Sequence, residues 1–305
     1  MYDLIGDIHG HASELIRLLD HLGYRESDSG YHHQTRRVIF LGDFIDRGQN
    51  LREHVRLMNI VMKMVNNGHA LAVMGNHEFN AMAYHTFHNG NYLRLHTAKN
   101  TAQHQAFLNE YGDRPESKDE VLDFFYGLPL WLELDGLRVV HACWSEYHIE
   151  ELIRLSPARK LNPELLVAAS TPGTPAYEAI EILLKGFEVD LPGGVTFNDK
   201  EGHTRSSMRL QWWKRNAAEL GDVALTNGCD IGAAARLAVP ADMPVYDEGR
   251  KPCFIGHYWL DGQPAPLRDN VACLDYSVAK QGKLVAYRWD GEQILARDKF
   301  TFAPL

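Results

Sequence analysis

The sequence predicts an α/β protein in which helices cover a β-sheet. Three strand–loop–helix units follow one another over residues 2–84, and short apolar strands return near the end of the chain. Folds built from such units bind ligands beyond the carboxyl ends of their strands. At 305 residues the chain is long enough to bury a sizeable core, and no Ser/Gly-rich linker divides it. We therefore expect one domain spanning residues 1–305.

The three units are recognised by a change in the period of their apolar residues. Each begins with a short apolar run, continues through a polar, glycine-containing loop, and ends in a segment whose apolar residues recur at three- and four-residue spacing. Predicted strands cover residues 2–6, 37–42 and 70–74, and predicted helices cover residues 13–19, 51–65 and 79–84. Polar side chains therefore follow each strand directly.

The remainder of the chain contains two insertions and a set of closing strands. Residues 85–130 are polar and rich in His and Asn, which indicates a partly helical insertion, and residues 146–250 form a second insertion. We expect both insertions to shape the substrate pocket. Between them, a β-hairpin that turns at Asp135 and Gly136 delivers His141. Further helices are predicted over residues 163–169 and 177–185, and further strands over residues 253–256, 271–275, 283–289 and 293–297.

Composition narrows the class of partner. The formal net charge of -9 disfavours an obligate nucleic-acid partner, although a local cationic site could still hold a small phosphate. The four cysteines are scattered without a CxxC pair, so we expect reduced, mostly buried thiols. No leader pattern or membrane-spanning apolar run is present, so we expect a cytoplasmic protein without a membrane partner.

Candidate metal ligands sit directly after apolar strands or in the loops that follow them. Any one of these side chains could instead cap a helix or lie in a solvated loop, but their joint placement at several strand ends makes coincidence a poor explanation. Oxygen and imidazole ligands without thiolate suit Mn²⁺, Fe or Zn²⁺. Because two carboxylates cannot neutralise two divalent ions, such a site keeps positive charge for a phosphate and a bridging hydroxide. The candidates are Asp7, His9, Asp43, Asn76, His141 and His257.

Three segments carry a resemblance to a known family. Residues 6–10 (GDIHG), 42–48 (GDFIDRG) and 75–78 (GNHE) resemble the GDxHG, GDxxDRG and GNHE signatures of the calcineurin-like metallophosphoesterases, in particular their Ser/Thr phosphatase branch. His141 and His257 resemble that family's two downstream metal-binding histidines. The resemblance implies a four-layer fold in which two central mixed sheets lie between helices. It also places the chain near bacterial diadenosine tetraphosphatases and protein phosphatases.

The same resemblance implies how the ligands are shared. Asp7, His9 and His257 resemble ligands of one metal ion, Asn76 and His141 resemble ligands of the other, and Asp43 resembles the bridging carboxylate. The implied cofactors are two divalent ions, with Mn²⁺ as the first expectation and Fe, Zn²⁺, Co²⁺ or Ni²⁺ as alternatives. A bridging hydroxide would then attack phosphorus in line.

Three further residues resemble the catalytic machinery of the family. His77 is similar to the general acid that protonates the leaving oxygen, and Asp46 is similar to the carboxylate that orients it. Arg47 would hold the phosphate oxygens through its planar fork of donors. The alternatives are a core or capping role for His77 and a surface salt bridge for Arg47.

Other candidate substrate contacts are less specific. Arg205 lies in a segment that resembles the Thr-Arg-x-Met-Arg stretch of symmetrical dinucleoside tetraphosphatases, but one extra residue leaves Arg209 as an alternative, and both could simply begin a helix. Tyr258 and Trp259 follow a proposed ligand and could form an aromatic wall. The irregular spacing of the insertion's histidines favours a polar, partly exposed segment over a third metal site; these are His85, His88, His96 and His104.

The motifs leave the substrate open. Trp144 and Trp259 stand where Ser/Thr phosphatases have smaller residues, which predicts a narrower or more stacking pocket. Our first expectation is a phosphomonoesterase acting on a phosphoprotein or a small phosphorylated metabolite. The alternative is a dinucleoside polyphosphate hydrolase, and a metal-binding scaffold without activity is the third. The sequence does not predict the native metal pair or the oligomeric state.

Overall fold

Two mixed β-sheets form the centre of the protein. The structure is a computed structural model that describes residues 1–47, 51–198, 204–226 and 228–303. Gly48 of the second motif and His203 of the arginine-containing segment lie outside the described residues. All four cysteines are free and three of them are buried, as the sequence predicts. Among the described residues, no helix combines the length and the apolar character needed to cross a membrane.

The first sheet contains the three predicted strand–loop–helix units. Strands β1 (Tyr2–Ile5), β2 (Arg37–Phe40) and β3 (Ala70–Ala72) pair in parallel, in that order. Antiparallel strands extend the sheet beyond β1, namely β15 (Lys283–Trp289) with β14 (Asp275–Tyr276) and β16 (Phe300–Phe302) on it. The parallel strands therefore all end at the same edge.

The second sheet has the order β13-β12-β7-β6. Its strands are β6 (Trp131–Glu133), β7 (Arg138–Val140), β12 (Cys253–Ile255) and β13 (Val271–Cys273). The pair β6–β7 is the hairpin predicted around Asp135 and Gly136. Because β7 and β12 run parallel, the residues that follow them also meet at one edge.

Alternation along the strands shows that the layers are helices, sheet, sheet and helices. Ile39 packs with Val139 and Phe254 of the second sheet in the core between the sheets. Its neighbours Val38 and Phe40 belong to the other core, which also contains the apolar faces of the helices. The predicted four-layer α/β architecture is thus confirmed.

The helices that follow the parallel strands are α1 (Ala12–Leu22), α2 (His54–Asn66) and α3 (Asn76–His85). The first insertion adds a short hairpin, β4 (Phe87–His88) and β5 (Asn91–Tyr92), and two helices, α4 (Ala98–Tyr111) and α5 (Pro115–Gly127). Its partly helical character is therefore confirmed.

The second insertion begins with α6 (Glu146–Leu155), α7 (Pro163–Ala169) and α8 (Pro175–Lys185). Short strands and a short α-helix follow and enclose a small separate core around Met208 and Leu210. They are β8 (Glu188–Asp190), β9 (Phe197–Asn198), β10 (Thr204–Arg205), β11 (Ser207–Arg209) and α9 (Leu220–Val223).

Two predictions for the closing strands need correction. Residues 293–297 do not form a strand, because the backbone N–H groups of Leu295 and Ala296 donate to Asp269 and to the Tyr287 hydroxyl instead of joining the sheet. Residues 271–275 form two strands rather than one. The chain leaves the second sheet at Cys273 and enters the first at Asp275, which brings that carboxylate beside the loop after β1.

Candidate metal centre

The six predicted ligands converge where the strands of both sheets end. Asp7 and His9 follow β1, Asp43 follows β2, and Asn76 is the first residue of α3. The remaining two, His141 and His257, follow β7 and β12. All six are buried, with relative exposures of 9% or less. The fold therefore brings residues 250 positions apart in sequence to one site, as shown by the bond of 3.0 Å between the His257 backbone N–H and the Asp7 carboxylate.

Asp43 lies at the centre of this cluster. Its Oδ2 atom is 3.4 Å from Nε2 of His141 and 3.8 Å from Nε2 of His9, which approach from the two different sheets. The Nε2 atom of His77 is 4.0 Å away. The predicted role of Asp43 as a bridging carboxylate is supported by these imidazoles on two sides of it.

The grouping around Asp43 differs from the one that the family resemblance implies. One atom each of Asp43, His141 and His257 lie within 4.8 Å of one another. Asn76 joins this group, since its Oδ1 atom is 2.7 Å from Nδ1 of His257 and 3.2 Å from Nε2 of His141. The imidazole of His257 therefore lies beside Asn76 and His141, while its backbone N–H donates to Asp7. How the six residues divide between two ions stays a prediction.

Hydrogen bonds to the backbone orient two of the ligand histidines. Nδ1 of His9 donates to the carbonyl of Ile45 at 3.0 Å, and Nδ1 of His141 donates to the carbonyl of Leu41 at 2.7 Å. Such a bond fixes the tautomer and directs the lone pair of Nε2 at the site, which is how metal-binding imidazoles are held. Burial also lowers the pKa of His9 to about 3, so its imidazole is neutral at neutral pH.

The donor set fits divalent metal ions. Three buried atoms at the site have no hydrogen-bond partner among the described residues: Oδ1 of Asp7, Nε2 of His9 and Nε2 of His257. Buried polar atoms are rarely left unpaired, and here all three belong to predicted metal ligands. Burial opposes a charge on His141, yet the carboxylate of Asp43 raises its pKa to about 10. The same negative charge would attract a metal ion, which would displace the proton from Nε2 of His141.

Tight backbone geometry holds the ligands in place. His9, Asp43 and His257 have φ values of 47°, 51° and 71°, a region that non-glycine residues rarely adopt. A Cβ atom on Gly256 would lie 2.0 Å from Oδ1 of Asp7. Only glycine therefore fits behind this ligand.

Two buried carboxylates that the sequence did not identify as site residues support these loops. Glu78 accepts backbone N–H bonds from Asp43 (2.8 Å) and Gly75 (2.9 Å), and so joins the second motif to the third. Burial and the charge of Asp43 raise the pKa of Glu78 to about 7. Asp275 accepts from the backbone N–H of Trp259 at 2.7 Å. After burial, its charge is the main cause that raises the pKa of Asp7 above the ordinary value.

His77 and Asp46 form a buried pair beside the metal ligands. Nδ1 of His77 donates to Oδ2 of Asp46 at 2.8 Å, which leaves Nε2 of His77 facing Asp43. Burial opposes the charged form of Asp46, but His104 and His77 hold the pKa of its carboxyl below the usual range. His104 is buried and donates from Nδ1 to Oδ1 of Asp46 at 2.8 Å. The interpretation of the insertion's histidines as partly exposed is therefore wrong for His104.

Arg47 and Trp259 form the rim of the site. The guanidinium carbon of Arg47 lies 4.4 Å from the centre of the Trp259 indole, and the ammonium nitrogen of Lys280 lies 4.3 Å from it. The Trp259 ring is 6.3 Å from that of His9. The buried Nε of Arg47 has no hydrogen-bond partner among the described residues. Two cations thus flank one aromatic ring beside the metal ligands.

The other aromatic candidates lie deeper. Tyr258 is buried, accepts from Nε1 of Trp212 at 3.0 Å and donates to the carbonyl of Ala142 at 3.1 Å. Its predicted contact with substrate stays a prediction, since its hydroxyl is engaged inside the protein. Trp144 is buried beneath Arg138 rather than placed at the rim, because the guanidinium covers its ring at 4.6 Å.

The two candidate arginines of the second insertion differ in position. Arg205 is exposed in β10. Arg209 lies 5.9 Å from the ring centre of Tyr258, pairs with Glu188 at 2.8 Å, and contributes after burial to the lowered pKa of His257. Of these two candidates, Arg209 is thus the one shown beside the predicted ligand His257 and its neighbour Tyr258.

Known proteins are similar to this chain over much of its length. The model of the calcineurin-like phosphoesterase family matches residues 2–191. The bis(5'-nucleosyl)-tetraphosphatase PrpE (asymmetrical) of Oceanobacillus iheyensis is 28% identical over 177 residues, 57% of this chain and 68% of that protein. The protein of the same name from Bacillus velezensis is 32% identical over 145 residues, 46% of this chain and 55% of that protein. Several further relatives are likewise matched over about half of their own length.

A solved structure supports the fold. A protein serine/threonine phosphatase from Saccharomyces cerevisiae is similar, with a TM-score of 0.51 and 14% identity. The similarity covers 100% of this chain and 80% of that one. At this identity the comparison bears on the fold, and it agrees with the layered arrangement of the two sheets.

Proposed function

Because the chain belongs to the calcineurin-like phosphoesterase family, and so is a phosphoric ester or anhydride hydrolase, we propose that its substrate is a dinucleoside polyphosphate. The observation that carries this proposal is the pair of cations, Arg47 and Lys280, around Trp259. One phosphoryl group needs only the metal ions and one arginine, whereas a second cation suits the further phosphates of a polyphosphate chain. The names of the bacterial relatives support the same substrate class.

The proposed chemistry assigns a role to each group of residues. Asp7, His9 and Asp43 would hold one divalent ion, and Asp43, Asn76, His141 and His257 would hold the other. The bound ions, with Mn²⁺ as the first candidate, would supply positive charge to the phosphate and lower the pKa of the attacking water. His77 would donate a proton from Nε2 to the leaving oxygen, while Arg47 binds the non-bridging oxygens.

The test is product analysis with diadenosine tetraphosphate on purified, metal-quantified protein. Following the names of the relatives, we expect AMP and ATP with Mn²⁺ and no products after chelation of the metal. Two ADP molecules would instead favour the symmetrical enzymes that the segment around Arg205 resembles. No turnover with any divalent metal would remove this substrate class, and unchanged turnover in Asn76→Ala would indicate a contaminating enzyme or leave the chain as an inactive scaffold.

A phosphate monoester is the second candidate, because the buried Asp46–His77 pair favours it. An alkoxide or phenoxide leaves poorly without a proton donor, whereas a phosphate leaving group needs that help much less. Hydrolysis of p-nitrophenyl phosphate in the presence of Mn²⁺, Fe²⁺, Co²⁺, Ni²⁺ or Zn²⁺ tests this candidate. Activity there without activity on diadenosine tetraphosphate would make a phosphoprotein or a phosphorylated metabolite the substrate.

We also propose that residues 1–305 act as one unit, with both insertions shaping the pocket. The first insertion supports this through His104, and the second through Arg209. A separate cavity of about 1130 Å³ in the second insertion is lined by several acids, including Glu146, Glu188 and Asp242, so its charge opposes phosphate binding. Since dinucleoside polyphosphates are intracellular metabolites, we place the enzyme in the cytoplasm.

A further inference from the structure

Both oxygens of the Asp46 carboxylate are occupied by histidines. Oδ2 accepts from Nδ1 of His77 at 2.8 Å, and Oδ1 accepts from Nδ1 of His104 at 2.8 Å. All three side chains are buried, with relative exposures of 5% or less. Hydrogen bonds to a buried carboxylate are strong and fix the plane of the group, so His104 constrains the acceptor on which His77 depends.

The first insertion delivers His104 in a rigid setting. His104 lies on α4 and its ring stacks on Phe107, with 4.7 Å between centres and 18° between planes. The ring of Tyr84 packs against it at 5.1 Å. The Tyr84 hydroxyl bonds to Thr101 at 2.9 Å, which ties α4 to α3, the helix that carries His77. The first insertion is therefore held against α3, the helix that carries the proposed general acid.

His85 is the second partner of the His104 ring. The two Nε2 atoms are 3.1 Å apart, so one of them carries the hydrogen. Burial and the neighbouring His104 lower the pKa of His85 to about 4, so at neutral pH its imidazole is neutral. Because Oδ1 of Asp46 is an acceptor, the facing Nδ1 of His104 carries a hydrogen whichever of the two Nε2 atoms donates.

We propose that His104 is a positioning residue for the general acid: it holds Asp46, and Asp46 holds His77 with Nε2 towards the leaving group. The proposal rests on the phosphate hydrolysis proposed above but not on the choice between its two substrate classes. Without His104, Oδ1 of Asp46 is left buried and unpaired, and the carboxylate is free to rotate. The hydrogen bond from Nδ1 of His77 to Asp46, which orients the His77 ring, then has no fixed direction.

Leaving-group dependence distinguishes positioning from a structural role. His104→Ala is expected to lower kcat for phenyl phosphate roughly 10-fold and to change kcat for p-nitrophenyl phosphate much less, because nitrophenolate needs little help from an acid. His104→Asn, whose amide N–H₂ can replace Nδ1, is expected to restore most of the phenyl phosphate activity. His96→Asn is the matched control, because His96 lies in the same insertion and bonds the carbonyl of Tyr84 instead.

A second readout does not require turnover. In proton NMR spectra of the metal-free protein, the Nδ1–H of His77 gives a low-field signal that His104→Ala should shift or broaden and His96→Asn should not. Equal losses with both aryl phosphates, an unchanged His77 signal, or no recovery in a folded His104→Asn protein would overturn the proposal. Failure of the wild-type protein to cleave either aryl phosphate would count against the monoester candidate alone, and the NMR comparison would still test the role of His104.

Discussion

The two parts of the candidate site are built in different ways. In one part, the predicted ligands His9 and His141 are oriented by backbone carbonyls, those of Ile45 and Leu41. In the other part, the predicted acid His77 is oriented by the side chain of Asp46, which His104 holds in turn. The candidate metal centre is therefore aligned by the main chain at the strand ends, and the predicted acid is aligned by a chain of side chains.

This difference predicts that the two functions are separable. A backbone carbonyl cannot be removed by substitution and remains wherever the strand remains, so the metal centre is expected to tolerate changes in the insertion. The acid depends on side chains from α3, α4 and the loop after β2, and each of them can be changed alone. Metal content and leaving-group dependence are accordingly the two measurements that test the comparison.

The largest effect is expected for Asp43→Asn. Loss of the bridging charge should cost several kcal/mol of transition-state stabilisation, about 10³-fold in kcat, together with bound metal. We would measure kcat on p-nitrophenyl phosphate and metal content by elemental analysis. Asp135→Asn, in the exposed hairpin turn, is the control and should keep both the kcat and the metal content of the wild type. Full metal content in Asp43→Asn would show that this carboxylate is not shared.

Asp46→Asn should impair the predicted general acid and leave metal binding unchanged. The amide cannot accept from both imidazoles as the carboxylate does, so kcat for phenyl phosphate is expected to fall about 10²-fold while the metal content stays that of the wild type. Asp43→Asn and Asp46→Asn make the same chemical change in the two parts of the site, the candidate metal centre and the predicted acid. If Asp46→Asn also lowered the metal content, the proposed independence of the two parts would be wrong.

Gly256→Ala tests the candidate metal centre, which the main chain aligns. The added methyl group would lie 2.0 Å from Oδ1 of Asp7, so we expect that ligand to move and metal affinity to fall roughly 10–100-fold. A metal titration monitored by calorimetry measures this change in affinity. Gly249→Ala is the control, because its added Cβ meets no described atom within 4 Å. Unaltered affinity in Gly256→Ala would mean that Asp7 is not a ligand.

The same division, between the strand ends and the side chains that the insertion supplies, separates what could be predicted from the sequence from what could not. The strands, the four layers and the convergence of Asp7, Asp43 and Asn76 were predictable, because each motif is continuous and directly follows an apolar strand. The role of His104 was not, since it depends on how α4 packs against α3, and no spacing within residues 85–130 carries that information. Tertiary packing decides such contacts, and they leave no local pattern.

The errors near the closing strands have a related cause. Residues 271–274 form one apolar run that leads into Asp275, yet the chain changes sheets there, and only the three-dimensional arrangement places Asp275 beside Asp7. Similarly, Tyr258 and Trp259 are neighbours in sequence, but Tyr258 turns into the core while Trp259 remains at the rim. An aromatic pair in sequence does not predict which ring faces the substrate.

A moderate effect is expected for Arg47→Lys. Lysine keeps the charge but loses the planar fork and most of the stacking on Trp259, so KM for diadenosine tetraphosphate should rise about tenfold with little change in metal content. Steady-state kinetics measures this change. Lys283→Arg is the control, because the Lys283 ammonium donates to the carbonyl of Gly262 and lies over the Phe302 ring instead of Trp259. A fall in kcat without a change in KM would place Arg47 in the chemical step rather than in substrate binding.

The smallest effect concerns stability and the docking of α4. Glu110, on the helix that carries His104, accepts from the backbone N–H groups of His54 (2.9 Å) and Val55 (3.2 Å) and so caps α2. Burial opposes its charge, but these bonds and the His54 side chain hold the pKa of Glu110 below the ordinary value of 4.5. Glu110→Gln should lower the free energy of unfolding by about 1 kcal/mol at neutral pH.

Because the folded-state pKa of Glu110 is depressed, its contribution is present above pH 4.5 and is lost as pH falls through the lower folded value. The difference between wild type and Glu110→Gln, measured by denaturant unfolding, should therefore shrink below that pH. Glu120→Gln, exposed in the same insertion, should show no difference at any pH. A difference that stays constant down to acid pH would show that the carboxylate's charge does not anchor α4. The rigidity that His104 needs would then have to come from other contacts, such as the Tyr84–Thr101 bond and the stacking on Phe107.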